Sequence, residues 1–106
     1  TMVLLPLVAS KTDLPIIAAG GVTDGRSMAA AFALGAEGVQ MGTRMVSAAE
    51  SPVHQNWKDS IVAAKETDTV FLNRQGPGPA LRALRTEKTS RFELEPPPNI
   101  MAEMGR

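Results

Sequence analysis

Cysteine is absent from the 106 residues. That removes disulfides, thiolate metal ligands and a cysteine nucleophile, and it fits a reducing, cytoplasmic setting. Tyrosine is absent too, and the aromatics are three phenylalanines and one tryptophan, too few to build a platform for stacked bases. Neither sign of charge is in excess, with 11 Lys and Arg against 11 Asp and Glu. Without a basic field there is no argument for a nucleic-acid partner. The single histidine, His54, leaves no second one for a metal pair, and no serine stands at a spacing that suggests a catalytic couple. No catalytic residue and no metal ligand is therefore assigned. No apolar run approaches the ~20 residues that span a bilayer. The opening TMVLLPLVAS is apolar but short and has no basic lead, so it makes a poor signal peptide. The expectation is a soluble, cytoplasmic chain.

What the chain does have is concentrated between Pro15 and Arg44. Pro15 to Ala19 is a short apolar run that Gly20-Gly21 breaks. Ile16 and Ile17 show no polar alternation, which predicts a strand buried on both faces. Thr23 and Asp24 are both competent N-caps for a helix that runs to Leu34 and closes on Gly35 at C′. Met28, Ala29, Phe32 and Ala33 make its predicted inner face, and its alanines allow close approach to a sheet. Gly38 to Met41 is a second apolar run, broken by Gly42-Thr43. A helix between two strands imposes a right-handed crossover, so the strands are expected to be parallel. Both glycine turns then sit at the carboxyl ends of strands about 4.8 Å apart, where their N–H groups can hold one small anion. Either turn alone is an ordinary strand exit. As a pair they match the recurrent phosphate site at the loops after the last two strands of a barrel. Gln40, expected on a buried strand, needs partners for its amide, either a ligand or neighbouring backbone.

The flanks are plainer. Met2 to Ser10 predicts a short helix with Pro6 in its first turn and Leu4, Leu7 and Val8 inward. Ser51-Pro52 predicts a helix start. Val53, Trp57, Ile61 and Ala64 would form its apolar face and Lys58, Asp59, Lys65 and Glu66 its wet one. His54 falls in that helix's first turns, on its surface. Val70 to Leu72 reads as an edge piece or packed turn. Gln75 to Pro79 is a loop, and Ala80 to Arg85 reads as a short helix with Leu81 and Leu84 inward. Arg74, Arg82, Arg85 and Arg91 read as a solvated face, and Arg44 as a phosphate contact or a partner of Glu50 or Asp24. Past Thr86 charge rises and Pro96-Pro97-Pro98 appears, so residues 86–106 are expected to be a loosely ordered, proline-rich tail after a domain at 1–85. Two strands and their helices cannot cover both faces of a sheet. The apolar faces call for another copy or for a further piece of protein.

The stretch LPIIAAGGVTDGRSMAAAFALGAEGVQMGTRMVSAAES, followed by a helix carrying Lys58 and then Thr67-Asp68-Thr69, resembles the nitronate monooxygenase family. The likeness runs from about Met2 to Arg85 and fades in the tail. It implies an α/β fold: the carboxyl-terminal βα units of a TIM (β/α)8 barrel. It implies FMN as cofactor, its phosphate held by backbone N–H groups of Gly20 and Gly21 and by a second clamp of Gln40, Met41, Gly42 and Thr43. The implied reaction oxidises an alkyl nitronate with dioxygen to a carbonyl compound and nitrite. The family's active-site histidine belongs to an AGGH-type segment. None occurs here, and His54 is not its match, so the chain is expected to be inactive without the missing barrel part. An FMN-dependent enoyl-ACP reductase, sharing barrel and clamp, is the rival enzyme. A non-catalytic binding or assembly module is the rival of another class.

Overall fold

The computed structural model describes residues 1–76 and 78–104. Pro77 of the predicted 75–79 loop and the last two residues of the predicted tail lie outside the described residues. The chain forms two compact units, Thr1–Asp59 and Ser60–Arg106.

In the first unit, helix α1 (Leu4–Ala9) leads to strand β1 (Ile17–Ala19), helix α2 (Gly25–Ala33), strand β2 (Gly38–Gln40) and the short helix α3 (Thr43–Val46). The two strands are parallel, with Ile17 beside Gly38, Ala18 beside Val39 and Ala19 beside Gln40. The crossover predicted from the sequence is thus present. The core is small and largely of small side chains: Leu5, Ala18, Ala31 and Ala36 are buried together, with Ile16, Leu34 and Val39 against them. Leu5 of α1 and Ala31 of α2 share one buried cluster with Ala18, so both helices lie on the same face of the sheet.

Three inward-facing predictions change. In α1 the buried residue is Leu5, while Leu4, Leu7 and Val8 are exposed. In α2 it is Ala31, while Phe32 is exposed. A methyl group lets the helix sit directly on Ala18, whereas a phenyl ring would hold it away. β1 is not buried on both faces: Ala18 is buried but Ile17 is 59% exposed. A sheet of two strands leaves that second face uncovered.

Helix α4 (Gln55–Ala63) starts three residues later than Ser51-Pro52 predicts. His54 sets its start. The His54 carbonyl accepts from the N–H groups of Trp57 and Lys58, and its Nδ1 accepts from the Asn56 N–H at 3.1 Å. His54 is therefore a cap just outside the helix. The predicted wet and dry faces are also exchanged in part. Trp57 is 52% exposed, and Lys58 is buried with 8% of its surface open. The ammonium of Lys58 donates to the Ala49 carbonyl at 3.0 Å, which draws its stem inward.

The second unit departs furthest from expectation. Strand β3 (Thr69–Leu72) pairs antiparallel with strand β4 (Leu81–Leu84), Phe71 lying beside Arg82 and Leu72 beside Leu81. Ala80 to Arg85 is therefore a strand segment, not a helix. Leu81 and Ala83, two apart, pack against buried Val70, Leu72, Phe92 and Ile100, the period of a strand. The expected loose tail holds helix α5 (Glu87–Leu94) and helix α6 (Ile100–Met104). Thr86 caps α5 in a reciprocal box with Thr89, and the buried Thr89 hydroxyl also donates to the Leu84 carbonyl at 2.7 Å. The arginines are engaged rather than merely solvated. Arg74 and Arg82 lie over the Phe71 ring at 5.2 and 5.3 Å, and Arg85 pairs with Glu93 at 3.2 Å. No helix among the described residues is long and apolar enough to cross a membrane.

Candidate anion-binding site

The register places the two glycine turns side by side. Ala19 and Gln40 are partners at the last position of each strand, so Gly20-Gly21 and Met41-Gly42 leave the sheet together. Gly20 and Gly21 have φ of +89° and +76°, a region that side-chain-bearing residues rarely enter. A Cβ built on Gly20, Gly21 or Gly42 meets no atom within 4 Å. The space over all three is open, and their backbone can be approached closely.

After Gly42 the chain turns directly into α3, an element the sequence reading missed. Four residues are too few to show a hydrophobic period. Gly42 is its N-cap and supplies no side-chain hydrogen bond. The first N–H groups of a helix have no intrahelical partner, so those at Thr43 and Arg44 remain for an external acceptor, with the exposed Thr43 hydroxyl beside them. Gln40 is exposed at the strand end rather than buried in the sheet, and Met41 is half-buried. The need for a buried partner for the Gln40 amide therefore falls away.

The start of α2, the other plausible place for an anion, is closed. Asp24 Oδ1 accepts from the Ser27 N–H at 2.8 Å, and Ser27 Oγ accepts from the Asp24 N–H at 3.0 Å. The Ser27 backbone N–H, then the Ser27 hydroxyl, hold the Asp24 carboxyl below the usual aspartate range. A carboxylate already satisfies that helix start and would repel a phosphate. Asp24 also pairs with Arg26 at 3.5 Å, not with Arg44. Of the three helix and turn features near the sheet end, two are open to an anion and one is self-capped.

A parallel βαβ unit with two open glycine turns at the carboxyl ends of its strands defines an α/β protein with a candidate anion site. The comparisons with known proteins make the class specific. The chain matches the nitronate monooxygenase family over residues 1–103. It belongs to that family. The probable nitronate monooxygenase of Staphylococcus saprophyticus is 48% identical over 73 residues, which are 69% of this chain and 21% of that protein. The corresponding Staphylococcus aureus protein (strain Newman) is 45% identical over 71 residues, 67% of this chain and 20% of the relative. The chain thus spans about a fifth of the length of the curated relatives it matches. Among solved structures, FabK from Thermotoga maritima superposes with a TM-score of 0.85 at 46% identity, over 99% of this chain and 33% of its own. The family match runs past Arg85, so the segment holding α5 belongs to the family as well.

Proposed function

We propose that residues 1–59 are the phosphate-gripping, carboxyl-terminal βα units of a TIM-barrel flavoenzyme, with FMN as the ligand. The observation that carries this is the pair of open glycine turns side by side at the strand ends, in a chain of the nitronate monooxygenase family. A phosphate monoester fits what is there: backbone donors at Gly20 and Gly21, the uncapped start of α3 after Gly42, the Thr43 hydroxyl, and space that a Cβ would fill. Gln40 and Met41 complete the second clamp. Bound FMN supplies the redox chemistry, the oxidation of an alkyl nitronate with dioxygen to a carbonyl compound and nitrite. The residues here bind and orient its phosphate, and none of them is assigned a proton transfer.

Gly42→Val tests the placement. A Cβ built at Gly42 meets no atom within 4 Å, so a lost ligand is not explained by a clash of that Cβ with the fold. Blocking one charge-assisted bond to phosphate weakens FMN by about 10- to 100-fold. The measurement is flavin fluorescence titration, on the chain fused to the two-thirds of Thermotoga maritima FabK that it does not match. Unchanged affinity would remove the clamp from these turns.

A second reading is an FMN-dependent enoyl-ACP reductase. It is favoured by the superposition on FabK, which takes in both units and 99% of the chain. Bleaching of the bound flavin by NAD(P)H without nitronate supports the reductase. Bleaching by nitronate alone supports the monooxygenase.

A further inference from the structure

Lys58 is buried, and burying an ammonium is costly unless its N–H donors are met. Its acceptor is the Ala49 carbonyl, 3.0 Å away. No carboxylate pairs with it among the described residues. A buried lysine that meets a backbone carbonyl and no carboxylate is not one half of an ion pair. What it holds is a piece of chain. That piece lies three residues past the end of α3.

α3 has little else in this chain to hold it. None of its four residues is buried, and Met45 is 52% exposed. What the segment does have is a continuous set of backbone bonds. The Gly42 carbonyl accepts from the Met45 and Val46 N–H groups at 2.9 and 3.1 Å. The Thr43 carbonyl accepts from Ser47 at 3.0 Å, the Met45 carbonyl from Ala48 at 3.2 Å and the Ala48 carbonyl from Ser51 at 3.1 Å. Gly42 to Ser51 is therefore one bonded run, and Lys58 takes hold of it at Ala49. The near end of the run carries the consequence. The Gly42 carbonyl and the Thr43 N–H belong to one planar trans peptide, so they point in opposite directions. With the carbonyl fixed toward Met45 and Val46, the Thr43 N–H is turned out of the helix start.

We infer that Lys58 is a positioning residue for the phosphate clamp: its ammonium pins the Gly42–Ser51 run to α4 and so keeps the Gly42-Thr43 peptide aimed at the anion. It acts through Ala49 and not by touching the phosphate. The lysine, Ala49 and the turn all lie within the first unit. The inference rests on the phosphate reading of the two turns and adds the residue that keeps the second one in place.

Riboflavin, which has the flavin ring and no phosphate, separates a clamp from general stability. Lys58→Met keeps the apolar stem and removes the ammonium, and Lys58→Arg keeps a cationic donor. Each is compared with the native residue in the fusion to the unmatched two-thirds of FabK. The measurements are fluorescence titrations with FMN and with riboflavin, beside thermal melts. The native fusion prefers FMN. Lys58→Met weakens FMN by about tenfold, as when one charge-assisted bond to phosphate is lost, and leaves riboflavin within about twofold. Lys58→Arg restores most of the preference. Should Lys58→Met fail to fold, Lys58→Gln, too short to reach Ala49, is read in the same way. Equal weakening of both flavins overturns the inference, because the lysine then serves the fold at large. A native preference for FMN that Lys58→Met leaves unchanged overturns it too, with the clamp intact. A native fusion that binds the two flavins equally sinks the phosphate reading first and the role of Lys58 with it, so the two failures are told apart.

Discussion

Asp24 shows how one side chain can decide where a ligand does not go. Its carboxylate accepts the Ser27 N–H that would otherwise point at an anion, and this bond stabilises the charged form. A group whose folded pKa lies below its unfolded one contributes stability above the unfolded value, and that contribution disappears as pH falls through the folded value. Urea titrations between pH 2 and 7 should therefore show the native chain losing an advantage over Asp24→Asn on the acid side of the ordinary aspartate range. The two should converge at the lowest pH. Asparagine still caps the helix, so only the charge-dependent part is removed. A constant difference across the whole range would mean that the carboxylate charge is irrelevant there. Lys58 teaches the converse lesson. A charged residue at a formally wet helix position is buried because a backbone carbonyl, that of Ala49, is waiting for it. Helical spacing carries no trace of such a partner.

At the scale of elements, the βαβ unit was the legible part. Its strand–glycine punctuation and its Asp24 cap stand in the chain as local chemistry, and the structure keeps both. Gly35 is the sharpest case. It ends α2 at φ +106°, and a Cβ there would stand 2.7 Å from the Ala9 Cβ of α1. The position needs glycine twice, once for the backbone and once for the approach of α1. Gly35→Ala should cost more than about 1 kcal/mol, measured by chemical denaturation. Adding Ala9→Gly should recover the steric part and leave the backbone part. Full additivity of the two substitutions would show that the helices do not meet there. The second unit was less legible. Leu81 and Leu84 are three apart, a helical spacing, while in the strand it is Leu81 and Ala83, two apart, that share the core face. Only the partner strand β3, whose Phe71 faces Arg82, decides between them. Likewise Thr86 and Thr89 form a capping box without the glutamate or glutamine that marks one in sequence. The triple proline drew attention to disorder while Phe92 and Ile100 on either side of it were joining a core.

At the scale of the molecule, the six residues proposed as a clamp could be named from sequence because a phosphate cradle is made of backbone, and glycine announces where backbone is bare. A flavin ring and its substrate need side chains from several strand ends, and the described residues supply two parallel ones. His54 stands at the start of α4, where its Nδ1 accepts from the Asn56 N–H, and the proposed function gives it no part in the chemistry. This sets the expected behaviour of the whole. The 106-residue chain alone should show no nitrite release from an alkyl nitronate above the flavin-only background. The fusion that restores the rest of the family chain should be yellow. His54→Ala in that fusion should keep whatever turnover it has, and should lower stability by about 1 kcal/mol through the lost cap. Nitrite assays beside thermal melts separate the two effects. If His54→Ala abolished turnover while the melt stayed intact, the histidine would be a participant in the chemistry, and the division proposed here, phosphate grip in this chain and flavin-ring chemistry elsewhere, would have to be redrawn around it.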